Sequence, residues 1–276
     1  MLNKVPEVTI FFWIIKILAT TVGETASDYL NETLGFGLHN TILVMGAALV
    51  AMLVVQFRSD RYVPWIYWLT VVLISIVGTL ITDNLTDGMH VPLTTSTAVF
   101  AVLLSITFAA WYRSEGTLSI HSILTPRRES FYWLTILFTF ALGTAAGDLL
   151  QEQTGWSLEA LALLWGAAIA VITATHFAVK AHLSAEHRRQ SSNAVLAFWL
   201  AYIMTRPLGA SLGDLLTTPT DEHPAGLGLG TNQVSIVFAV VIIGLVAYLT
   251  KTKRDVIEGP DATETDANEV IEAAAA

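Results

Sequence analysis

The sequence has no cysteine, which excludes disulfides, thiolate metal sites and cysteine nucleophiles. Charge is scarce as well: 13% of the 276 residues are Asp, Glu, Lys or Arg, against about a quarter in a soluble domain. With 54% hydrophobic residues and a mean hydropathy of +0.60, the chain reads as an all-α integral membrane protein. A nucleotide-binding glycine loop, a histidine-rich metalloprotease helix and a Gly-x-Ser-x-Gly elbow are all missing, so no enzyme is expected. The N-terminus lacks the pattern of a cleaved signal peptide, and residues 10–23 read as part of a first spanning helix. Much of the net charge of −9 sits in a polar, acidic C-terminal stretch, residues 255–276. It is expected to be a disordered cytoplasmic tail beside a single membrane domain, residues 1–254.

A spanning helix needs about 20 mostly apolar residues. Segments 41–57, 93–112, 160–179 and 231–250 contain no Asp, Glu, Lys or Arg. Segments 63–82 and 130–147 are uncharged until an aspartate ends each run, while 6–30 and 194–216 carry internal charges. Eight helices are therefore expected. The loops near residues 31–40, 84–92, 150–159 and 217–230 have no lysine or arginine. The alternate connections and the chain ends hold twelve of the fourteen, from Lys4 to Arg254, and the other two, Lys16 and Arg206, fall inside helices. By the positive-inside rule both termini should be cytoplasmic in a multi-pass membrane protein.

One frame recurs four times: "FWIIKILATTVGETASDYL", "YWLTVVLISIVGTLITDNL", "YWLTILFTFALGTAAGDLL" and "FWLAYIMTRPLGASLGDLL". Each copy aligns a tryptophan (Trp13, Trp68, Trp133, Trp199), a glycine (Gly23, Gly78, Gly143, Gly209) and an aspartate (Asp28, Asp83, Asp148, Asp214) without gaps. The expected units are residues 5–60, 61–124, 125–190 and 191–254. Two helices per unit make every copy enter the membrane from the same side, giving four parallel repeats about an axis along the membrane normal. From its repeats the chain resembles a family of bacterial membrane proteins built of four tandem repeats of unknown function, each with two membrane helices and a tryptophan. The resemblance spans nearly all of residues 5–250 and implies the same eight-helix plan, with little about function.

The axis should gather the four aspartates at one depth, with Glu24 one turn before Asp28 on the same helix face. The other repeats place Thr79, Thr144 and Ala210 where the first has Glu24. Burying an ionised carboxylate in hydrocarbon costs several kcal/mol unless it is paired, neutralised or hydrated. Two readings follow. In one, the acids hold the bundle together as packing and capping groups of a binding or regulatory protein. In the other, Glu24, Asp28, Asp83, Asp148 and Asp214 form a cation site, whose oxygen-only ligands suit Mn²⁺, Mg²⁺ or Ca²⁺, or protons. The metal would be a substrate and not a resident cofactor. Lys16 and Arg206 each precede an acid by eight residues, about 12 Å along a helix, too far for contact within one helix. They are expected to pair across helices as switchable partners of the acids, or, for Arg206, to hold an anionic solute. Pro207 should kink its helix. The glycines five residues before each aspartate point to close helix packing. His39, His90 and His223 read as solvated loop residues, and His176, His182 and His187 as structural or solvated. The expected partners are the lipid bilayer and a small cation, not nucleic acid; a homo-oligomer is compatible with the sequence. The function expected is transport of a small cation, either a divalent metal or a proton-coupled solute.

Overall fold

The structure is a computed structural model that describes residues 3–182, 193–221 and 224–257. His187, Glu222, His223 and the acidic stretch from residue 258 onward lie outside the described residues. Among the described residues, eight helices are long and apolar enough to span a membrane. They are α1 (Ile10–Asp28), α2 (Gly37–Arg58), α3 (Pro64–Asp83), α4 (Leu93–Glu115), α5 (Pro126–Thr154), α6 (Leu158–His182), α7 (Asn193–Thr217) and α8 (Thr231–Thr252). Their starts follow local chemistry. Thr9 caps α1 by accepting from the Phe12 N–H, Thr125 caps α5 by accepting from the Arg128 N–H, and proline opens α3 and α5.

The odd helices form an inner ring in which α1 packs on α3 and α7, and α5 packs on the same two. The even helices form an outer layer. Between 50% and 78% of the most apolar window of each odd helix is buried, against 11% to 22% for the even ones, whose sides therefore face lipid. Each even helix packs mainly on the next repeat and little on its own: α2 on α3, α4 on α5, α6 on α7, and α8 back on α1, with α8 also touching α3.

The repeat glycines explain how the inner helices close so tightly. A Cβ added at Gly78 would lie 2.6 Å from the Phe140 Cβ, and one at Gly143 would lie 2.6 Å from the Arg206 Cβ. Gly23 meets Ser75 and Gly209 meets Thr20 in the same way. Thr20, Ser75, Phe140 and Arg206 occupy one aligned position, seven residues after the tryptophan. Every repeat thus presses its glycine against the same position of the next. This is the packing use expected of small residues between membrane helices.

Helix ends differ from expectation. At the acidic end α1 and α3 run on into wide turns, Tyr29–Thr33 and Asn84–Gly88, closed by i→i−5 bonds from Leu34 N to Tyr29 O and from Met89 N to Asn84 O, both 2.9 Å. Asp28 and Asp83 end the α-helical parts of α1 and α3, whereas α5 continues past Asp148 to Thr154 and α7 past Asp214 to Thr217. Helix α7 runs through Pro207 without interruption, with that ring against Gly143 and Gly147 of α5.

Basic-end contacts tie the ring together. Lys4 and Glu129, both buried, form an ion pair at 2.8 Å, and Gln56 Nε2 donates to the same carboxylate at 2.9 Å. Asp255, expected at the start of the tail, belongs to the packed domain: it is buried and accepts from the Tyr62 hydroxyl at 2.6 Å. Burial pushes its carboxyl above the ordinary range, and the Tyr62 bond opposes that shift. Because removing one partner strands a buried charge, Glu129→Leu should destabilise by about 3–5 kcal/mol. Thermal unfolding in detergent measures this, and an unchanged midpoint would show that Lys4 finds other partners.

Candidate functional site

The charged residues of the inner helices fall in aligned positions of the repeat, Lys16 with Tyr202, Arg206 with Thr20 and Phe140, and Glu24 with Thr79. Two contacts run between helices that are not ring neighbours. Arg206 on α7 reaches across to α3, where its Nη2 donates to Thr79 Oγ1 at 2.5 Å. Lys16 on α1 reaches across to α5, its Nζ lying 3.9 Å from the centre of the Phe140 ring.

The acidic layer surrounds Arg206. Arg206 Nη2 also donates to Glu24 Oε2, forming an ion pair between α7 and α1. The guanidinium side chain is 1% exposed and that of Glu24 14%, so the pair joins a buried cation to a carboxylate that water still reaches. Asp83, Asp148 and Asp214 are half-buried, and all three sense both Glu24 and Arg206 through space. Asp28 acts on Asp83 in the same way. The five carboxylates predicted from the repeats therefore lie within electrostatic reach of one another at one end of the axis. They do not converge as a ligand shell: among the described residues, no three or more His, Asp or Glu side chains are placed to hold a metal ion.

Below Arg206 the axis is closed. Lys16, Phe140, Tyr202, Val71 and Ile136 are all buried, and beneath them the hydroxyls of Tyr67 and Tyr132 share a hydrogen bond at 2.5 Å. Lys16 departs from expectation, because it pairs with no acid. Its Nζ has no hydrogen-bond partner and sits over two rings, Phe140 at 3.9 Å and Tyr202 at 4.3 Å. Cation–π contacts of this kind contribute about 2 kcal/mol when desolvated, less than an ammonium loses on leaving water. Arg206 Nε and Nη1 are likewise buried without partners. The axis thus carries a partly buried acidic layer, a buried guanidinium beside it and an aromatic seal underneath.

Sequence reasoning missed three contributors: Thr79, Phe140 and Tyr202. Each sits in the same aligned position as a charged residue of another repeat, Glu24, Arg206 and Lys16 respectively. Their signal lay in the positions that vary between repeats. His39 and His90 are exposed at the acidic end, away from the axis, and His176 meets Asn193 at 3.4 Å.

Four stretches of the chain, residues 11–62, 66–117, 131–182 and 197–255, match a family model described as a Repeat of Unknown Function (DUF347). No curated protein and no solved structure matches the chain.

Proposed function

The chain belongs to this repeat family, whose function is unknown, and from its own site we propose that it is a membrane carrier moving a small cation coupled to protons. The observation that carries the reading is the asymmetry of the axis. Glu24, Asp28, Asp83, Asp148 and Asp214 stand partly buried around the fully buried Arg206, while the side chains beneath are closed off. Five carboxylates and one guanidinium leave a net deficit of positive charge at this end of the axis, which favours a cation or protons over an anion. Intramembrane acids with a switchable basic partner are the usual parts of proton relays. Protonation of Glu24 would loosen its hold on Arg206, and an arriving cation would displace protons from the remaining acids. The lack of a convergent ligand set favours the proton-coupled form of this reading over a dedicated divalent-metal site. We place the acidic end outward and both termini in the cytoplasm of a bacterial inner membrane, from the one-sided distribution of lysine and arginine.

The test uses purified protein in proteoliposomes with a trapped pH dye, challenged with inward gradients of Na⁺, K⁺, Mn²⁺ and tetramethylammonium. At least one cation should drive proton movement through the wild-type chain, and Asp148→Asn should reduce that movement at least tenfold while the protein remains folded. Equal flux in the variant removes the carboxylates from the mechanism. A second reading, a carrier of an anionic solute, is favoured by the two unpartnered nitrogens of Arg206. Under it Arg206→Lys would lose transport while Asp148→Asn retained it.

A further inference from the structure

Lys16 is hard to explain as packing. The aligned positions in the other repeats hold Val71, Ile136 and Tyr202, all of which close the bundle with no charge at this depth. Yet Lys16 is fully buried in the middle of α1, its amine has no hydrogen bond, and its neighbours are two aromatic rings on two other inner helices. A cation held by ring faces alone is how proteins bind alkylated ammonium ions. Here the amine is tethered to the chain, directly beneath the acidic layer.

We infer that the cage of Phe140 and Tyr202 is a binding site for a small organic ammonium ion, which Lys16 occupies as a tethered competitor and vacates by giving up its proton. This rests on the cation-carrier reading above and names both its substrate class and its coupling residue. The charge balance is simple. A cage beside the Arg206 guanidinium cannot hold two further cations, so the guest enters as Lys16 changes from ammonium to neutral amine. The released proton leaves through the carboxylates toward the acidic end, one proton for each monovalent ion. Every ionisable group facing this region belongs to that path or lies below it. Helix α1 supplies Glu24 and Asp28; α7 supplies Arg206, Asp214 and Tyr202; α5 supplies Asp148 and Tyr132; α3 supplies Asp83 and Tyr67. Helix α8, which also packs on α1, has as its ionisable groups Tyr248 and Lys251, at the basic end.

The test pairs Lys16→Met, which keeps the side chain's length, with Phe140→Leu, which removes a ring. Binding of methylammonium and tetramethylammonium to the full chain in detergent is followed by calorimetry across pH. Wild-type affinity should rise with pH, on the order of tenfold per unit where Lys16 must deprotonate. Lys16→Met should bind at least tenfold more tightly at neutral pH and lose most of that dependence. Phe140→Leu should bind at least tenfold more weakly. In proteoliposomes tetramethylammonium, which carries no proton of its own, should expel protons through the wild-type chain and enter without them in Lys16→Met. Equal affinity and pH dependence in wild type and Lys16→Met would overturn the inference, as would undiminished binding in Phe140→Leu. If neither ammonium ion binds while another cation still drives flux that depends on Asp148, the inference fails and the carrier reading stands. If Asp148→Asn leaves all flux intact, the carrier reading itself has failed.

Discussion

Arg206→Met is expected to be among the most damaging single substitutions in this protein. The guanidinium holds Glu24 on the neighbouring α1 and Thr79 across the ring, and is the cation nearest the acidic layer. Methionine fills much of its volume but leaves Glu24 partly buried without a counterion and removes the charge opposing Asp83, Asp148 and Asp214. Breaking a buried pair from one side costs about 3–5 kcal/mol. For a chain of this size that corresponds to a fall in unfolding midpoint on the order of 10 °C. The double variant Glu24→Leu/Arg206→Met should recover most of the loss, since two apolar side chains replace the pair together. Thermal unfolding of the two single variants and the double variant in one detergent measures the coupling. A double variant no more stable than Arg206→Met would mean that Glu24 is not what the arginine protects.

Gly143→Ala should be nearly as harmful, although it adds a single methyl group. Its Cβ would lie 2.6 Å from the Arg206 Cβ, 2.7 Å from the Arg206 Cγ and 3.2 Å from the Pro207 Cδ. A Cβ has no rotamer by which to escape, so α5 and α7 must separate, at a cost of about 1–3 kcal/mol. The separation also draws Arg206 away from Thr79 and Glu24, so proton-coupled flux should fall with stability. Gly166→Ala, on the lipid-facing α6, provides the contrast. Nothing lies within 4 Å of the added carbon there, and the helix gains propensity of roughly 0.8–1 kcal/mol. Similar stability losses in the two variants would show that the inner ring tolerates a wider spacing than its glycines indicate.

The architecture was legible because spanning helices follow from length and hydropathy, and because the same frame is written four times. Helix ends were less so. The aspartates near the ends of the runs 63–82 and 130–147 look like terminators on a hydropathy profile, but hydropathy scores side chains. A half-exposed carboxylate on the axis does nothing to interrupt backbone hydrogen bonds, and α5 passes Asp148 by six residues. Recurrence likewise exposed the four aspartates, and Glu24 was found by its place one turn before Asp28. The partners of the basic residues were hidden for the opposite reason. Phe140 and Tyr202 meet Lys16 because they differ from their counterparts in other repeats, and no single-sequence pattern says which varied position faces which. Lys4, counted among the charges outside the spans, is buried against Glu129 at 2.8 Å, a contact between residues 125 positions apart that no local pattern signals.

The circular hand-off, in which each outer helix leans on the following repeat and α8 leans on α1, gives the molecule no spatial beginning. The first and last repeats meet where the Glu7 N–H donates to the Asp255 carbonyl at 2.8 Å, so the fourth repeat adjoins the first across a gap that carries no covalent link. A polypeptide reopened at the turn between α2 and α3 and joined tail to head would pass through the same contacts in a different order. What distinguishes the repeats is therefore not where they stand in the ring but the few side chains, Lys16, Glu24 and Arg206 foremost, by which a fourfold scaffold has become chemically lopsided.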